Sequence, residues 1–189
     1  MCISMEHYLV ITAVGTDRPG ITNEVTQLVT QCGCNIVDSR IALFGSEFTL
    51  IMLLSGNNNA ITRVESTLPL KGQEHDLITV MKRTNKHKPR FFPYTADFYI
   101  EARDTPGLIE HFTKFMASRQ LDISSLSAHT QENQDPSCDF DTLILQINSN
   151  LPESCNTEFL EQEFQALCHQ LEVIGSINIT EHQQIHSDN

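Results

Sequence analysis

No stretch of the 189-residue sequence approaches the roughly 18 consecutive apolar residues of a membrane-spanning helix. Its first ten residues, MCISMEHYLV, lack both the basic start and the apolar run of an export signal. The six cysteines (Cys2, Cys32, Cys34, Cys138, Cys155, Cys168) show no C-x-x-C spacing, so neither a zinc site nor a thioredoxin-type pair is expected. These absences predict a cytoplasmic protein with reduced thiols and no membrane partner. Positive charge is scarce as well: 12 basic against 24 acidic residues leave a formal net charge of -12. That balance opposes direct nucleic-acid binding, which needs a positive face to neutralise phosphates. No G-x-S-x-G, Walker or H-E-x-x-H pattern occurs, so no catalytic centre, metal or cofactor is expected.

What the sequence does contain is a repeat. GTDRPGITNEVTQLVTQCGCNI, from residue 15, aligns without a gap with RDTPGLIEHFTKFMASRQLDI, from residue 103, when Asp17 is set against Asp104. Apolar Ile21, Val25, Leu28, Val29 and Cys32 fall on one helical stripe, as do Leu108, Phe112, Phe115 and Met116. Pro19 and Pro106 suit the first turn of each helix, and Gly20 and Gly107 permit close approach to the backbone. The helices are expected to stop near Gly33 and Gln120.

A strand-like segment precedes each helix (7–14 and 96–102), and two strands follow it. Strands 35–44 and 47–55 meet at Gly45-Ser46, and strands 122–130 and 140–147 meet through a longer loop. The runs TLIMLL and TLILQI read as central strands buried over most of their surface. A second helix comes next in each half, 57–68 ending before Pro69 and 156–171, and a last strand closes each half. The fold class is therefore α+β, two ferredoxin-like βαββαβ domains, each an antiparallel sheet with helices on one face. The expected boundaries are 1–84 and 94–182 for the domains, 85–93 for a basic linker and 183–189 for a tail. KRTNKHKPRFFP, 82–93, reads as a solvated linker rather than a stacking platform for single-stranded nucleic acid. His182 and His186 read as part of a frayed tail.

The free amides at a helix N-terminus can receive an anion, so Gly20 and Ile21 are candidates to hold a carboxylate. Asp17 either caps the helix or faces an ammonium group. Asn35, at the start of the next strand, is expected beside the first loop, where its amide could both donate and accept. Such a set fits an amino-acid zwitterion, although Asp17 as a cap and Asn35 as a turn residue would explain the pattern equally.

DRPGI followed by GCNI, between a first and a second strand, resembles the ligand-binding motif of ACT domains, ferredoxin-like modules that sense amino acids. The resemblance covers both halves and adds Arg18 and Pro19 to the candidate set; Asp104, Thr105, Pro106, Gly107, Leu108 and Asp122 are the second-copy equivalents. Over the whole chain, HYLVITAVGTDRPGI, CGCNIVDSR, EFTLIMLLSGNNNAIT and ESTLPLKG resemble a family of transcriptional repressors made of two ACT domains. That resemblance implies no DNA-reading domain, a DNA-binding activator of the glycine cleavage operon as protein partner, and a small amino acid, glycine, as the ligand that relieves repression. It leaves a homo-oligomer open. Formyltetrahydrofolate deformylases are also similar near DRPGI, but their catalytic domain has no counterpart here. Asp122 in place of Asn35 would set a second carboxylate beside Asp104, so one competent site is expected, in the first domain.

Overall fold

The computed structural model describes residues 6–86, 92–133 and 140–182. The chain divides into two compact units, Met1–Lys88 and Pro89–Asn189. In the first, the order is β1 (His7–Thr16), α1 (Ile21–Gln31), β2 (Asn35–Phe44), β3 (Glu47–Gly56), α2 (Asn58–Glu74) and β4 (Leu77–Thr84). In the second it is β5 (Tyr94–Arg103), α3 (Leu108–Ser118), β6 (Asp122–Gln131), β7 (Thr142–Leu151), α4 (Thr157–Gln170) and β8 (Ile174–Glu181). Each unit holds one four-stranded antiparallel sheet, ordered β2-β3-β1-β4 and β6-β7-β5-β8. This is the ferredoxin-like βαββαβ architecture.

Alternation along the central strands sorts each sheet into a helix-covered face and an open face. Leu9, Ile11 and Ala13 of β1 and Phe48, Leu50, Met52 and Leu54 of β3 pack with Val25, Val29, Ile61, Val64 and Leu68 from the helices. The apolar run in β3 is thus a central strand but not one buried on both sides, since Ile51 lies 46% exposed on the open face. The second core is more aromatic. Phe164 of α4 meets Phe98, Phe112 and Phe115 with ring centroids 5.1, 6.0 and 6.1 Å away.

Of the second helices, α2 ends later than expected. Asn57 caps α2 through a bond from the Ala60 amide (2.9 Å), but the helix runs on through Pro69 to Glu74. Proline forfeits one helical hydrogen bond; burial of Leu68 and Gly72 on the same apolar face keeps the helix going. Asn156 caps α4 in the same way, accepting from the Phe159 amide at 2.9 Å. Both edge strands β2 and β6 carry a register shift, between Ile36 and Asp38 and between Ile123 and Ser125.

Cys32, Cys34 and Cys168 are buried free thiols and Cys155 is half-buried. Burial alone pushes the Cys168 thiol up to about 11. At pH 8 it is therefore almost entirely protonated, and the thiolate is the nucleophile. Iodoacetamide at that pH should leave Cys168 unmodified in the folded protein and alkylate it after unfolding, as read by peptide mass spectrometry. Equal labelling in both states would contradict its burial.

Candidate functional site

The repeated turn has the same backbone geometry in both units. The Ile21 amide donates to the Arg18 carbonyl (3.3 Å), and Gly20 sits at φ 93°, ψ -10°. In the second unit Leu108 donates to Thr105 (3.4 Å) and Gly107 sits at φ 90°, ψ -7°. Proline at i+1 and a positive φ at i+2 define a type II turn, which explains the Pro-Gly pair. Pro19 and Pro106 accordingly lie before the helices, not in their first turns, and Gly20 and Gly107 are the N-cap residues. The Ile21 amide is used within the turn. Among the described residues, the Gly20, Thr22 and Asn23 amides have no protein acceptor and form the free end of α1.

Asp17 does not cap α1; the helix has no side-chain cap. Its backbone amide instead ties the turn to the β2–β3 hairpin, donating to the Ser46 carbonyl at 3.1 Å. The Asp17 side chain is exposed and has no hydrogen-bonding partner among the described residues. Asp104 makes the matching backbone bond, to Asp141 O at 2.9 Å, but its carboxylate accepts from the Thr130 hydroxyl at 2.9 Å. The two aspartates thus share a position and differ in availability.

Arg18 points back over the helix and makes a two-pronged bond to Glu24 (2.9 and 2.6 Å). Its Nη2 also lies 2.9 Å from Nδ1 of His75, whose Nε2 is 3.1 Å from Glu24 Oε2. A guanidinium can only donate, so Nδ1 accepts, and the neutral tautomer with its proton on Nε2 closes the ring by donating to Glu24. The Arg18 hydrogen bond, before any other influence, holds the Glu24 carboxyl below its ordinary range. This network clamps the turn to α1 and to the end of α2. Glu24 and His75 carry no signal in the sequence, because His75 is 57 residues from Arg18. Thr105 replaces Arg18 in the second unit, which lacks the clamp.

Asn35 is not beside the turn. It pairs with Ser55, level with Tyr8 near the start of β1, whereas Asp17 follows the end of β1. At about 3.3 Å per residue the two lie roughly 30 Å apart in one unit, several times the length of a small amino acid. The reason is the path of the chain: β1 and β2 are both antiparallel to β3, so α1 returns the chain to the starting end before β2 begins. Asp122 is displaced from Asp104 for the same reason, pairing with Asn150 at the far end of its sheet. The carboxylate repulsion expected there does not arise. Thr130 beside Asp104 and the missing arginine clamp are what set the two copies apart.

The basic segment is also partly strand. Lys82 and Arg83 belong to β4, and Arg83 bonds Glu65 (2.8 and 2.7 Å), Asn58 (2.9 Å) and Thr62 (3.1 Å) on α2. Tyr94 opens β5, while Lys88, Arg90 and Phe91 lie outside the described residues. His182 is held rather than frayed: its amide donates to Pro93 O (2.7 Å) and its Nε2 lies 2.9 Å from Thr95 Oγ1. His186, with the tail 183–189, is outside the described residues. Among the described residues no three His, Cys, Asp or Glu side chains converge as a metal site, and no helix is long and apolar enough to cross a membrane.

The ACT domain family profile matches residues 7–82. The glycine cleavage system transcriptional repressors of Escherichia coli (strain K12) and Shigella flexneri are each 47% identical over 186 residues, covering 97% of this chain and 96% of theirs. A crystal structure attributed to a glycine cleavage system transcriptional repressor is 52% identical, with a TM-score of 0.71 over 95% of this chain and 100% of that one. The crystal structure of an unknown protein from Galdieria sulphuraria has the same TM-score and coverage at 19% identity, a likeness of fold alone. With its two βαββαβ units, its paired type II turns and near-full-length identity of 47%, this chain belongs to the family of glycine cleavage system transcriptional repressors.

Proposed function

We propose that this chain is a non-enzymatic cytoplasmic regulator that represses glycine cleavage genes through a DNA-binding activator protein and is released by a small amino acid, glycine first among them. The observation that supports the ligand reading is the turn of the first unit. The Asp17 carboxylate, without a partner among the described residues, precedes by a few residues the free amides of Gly20, Thr22 and Asn23, with Pro19 and Ile21 fixing the turn and Arg18 anchored away by Glu24 and His75. The amides would receive the amino acid's carboxylate and Asp17 its ammonium group. In the second unit Asp104 is engaged by Thr130, so Thr105, Pro106, Gly107 and Leu108 would form the weaker copy. The net charge of -12 favours action through a protein over direct contact with DNA.

Calorimetric titration with glycine, alanine and serine tests this reading, alone and with the activator. Asp17→Ala should weaken glycine binding by about tenfold to a hundredfold, the cost of a hydrogen bond to a charged group. Because Asp17 caps nothing, its melting temperature should hardly move. Asp104→Ala should leave glycine binding unchanged. Asn35→Ala is the control for a site contained in one turn: weakened binding there would mean that Asn35 reaches the ligand from another domain or copy. Unchanged glycine affinity in Asp17→Ala would remove the turn from the site.

A further inference from the structure

The open face of the first sheet is the more apolar of the two. On the first, cross-strand pairing lays out rows: Ala42, Thr49, Val14 and Ile78; then Arg40, Ile51, Thr12 and Val80; then Asp38, Leu53, Val10 and Lys82. Ile51, Ile78 and Val80 are 46, 72 and 62% exposed. On the second sheet the corresponding rows are Ile144, Glu101 and Ile174; then Gln146, Tyr99 and Ser176; then Asn148, Asp97 and Asn178, so that apolar side chains are confined to one end of a polar face. Charge is divided in the same way. Eight of the 12 basic and eight of the 24 acidic residues precede Pro89, so the first unit is formally neutral and the second carries the whole -12.

We propose that the open face of the first sheet is a dimer interface that seats the same face of a second copy of this chain. The face is apolar at its centre, and a neutral unit approaches its own copy without net repulsion, whereas two units of charge -12 repel. Four strands about 4.8 Å apart and eight residues at about 3.3 Å each present roughly 500 Å² per copy, or about 1,000 Å² in total before relief is counted, which reaches the size of a specific interface.

The charged positions fit a two-fold. An axis between the faces and parallel to the strands exchanges the sheet's two edges and keeps each row in place. It sets Asp38 of each copy over Lys82 of the other, while Leu53 meets Val10 and Ile51 meets Thr12 across the centre. Asp38 and Lys82 are exposed and make no ion pair among the described residues. The rotation of about 30° between aligned sheets shifts these edge positions by roughly 5 Å, within reach of a lysine side chain. Arg40 falls over Val80, where its stem covers the apolar side chain and its head reaches the rim.

Sedimentation velocity of the full chain across the micromolar range tests the proposal. The unaltered protein should sediment as a dimer, and Val80→Glu as a monomer with unchanged circular dichroism. Asp38→Lys alone sets lysine against Lys82 and should weaken the dimer about tenfold or more; adding Lys82→Asp should restore it. Ser176→Glu, on the second sheet, should leave the dimer intact. A monomeric unaltered protein, or a dimer indifferent to Val80→Glu, overturns the proposal, whatever else covers the face. Failure of the double variant to regain the dimer overturns the two-fold arrangement.

Discussion

Phe164→Ala is expected to destabilise the second unit by about 3–5 kcal/mol, the usual cost of deleting a fully buried aromatic side chain. The Phe164 ring is fully buried and is the hub of the second core, with Phe98 edge-on at 5.1 Å and Phe112 and Phe115 near 6 Å. Those three rings stand on β5 and α3, so their collapse into the cavity would have to move a strand or a helix. Gly175 approaches closely on the remaining side, where a Cβ would lie 3.0 Å from the Phe164 ring. Whole domains are stable by only about 5–15 kcal/mol, so a loss of this size should bring denaturant unfolding of the second unit forward by a large fraction of its range. Residues of the first unit, followed by hydrogen exchange, should keep their protection. An unchanged unfolding midpoint would show that the aromatic cluster is not what holds the unit together.

The second large effect lies under the turn. Gly15 is the last core-facing position of β1, and a Cβ there would stand 2.6 Å from Leu77 Cδ2 and 2.7 Å from the carbonyl oxygen of Asp76. Side chains can rotate away, but Asp76 O is backbone, in a left-handed turn at φ 54°. Gly15→Val should therefore displace the α2–β4 connection at a cost of about 3 kcal/mol or more, the upper range for overpacking. His75 precedes that connection and closes the Arg18–Glu24 clamp, so the variant should also release Arg18. NMR of the His75 imidazole would show the loss of its two partners. A Gly15→Val protein with the original midpoint and an intact His75 environment would refute the steric argument.

How much of this was legible beforehand follows from what each signal depends on. The strands and helix faces were legible because alternation and the i, i+4, i+7 stripe are properties of neighbouring residues, and α1 and α3 begin and end close to where the stripe and its turns place them. Pro-Gly marked the turn correctly but not its type, which only φ at Gly20 and the Arg18–Ile21 bond identify. Asn35 was misplaced because closeness in sequence was taken for closeness in space, whereas α1 carries the chain back along the full length of β1. TLIMLL hid its alternation because β3 puts apolar side chains on both faces, one against the helices and one on the open side. Pro69 stopped a helix on propensity that tertiary burial carried through. The clamp of Arg18, Glu24 and His75 depends on a contact between residues far apart in the chain, which no local pattern announces.

The matched bulges in β2 and β6 bear on a hazard common to open antiparallel sheets. An unpaired, ten-residue edge is a template on which another extended segment can add, and repetition of that step leads to fibres. A doubled residue breaks the even spacing of amides and carbonyls and coils the strand, so an incoming segment finds its ladder out of phase after a few bonds. Because the irregularity falls at the equivalent place in both halves, each edge is interrupted near its beginning. The molecule can therefore keep two long strands bare to water at cellular concentrations without inviting open-ended growth along either of them.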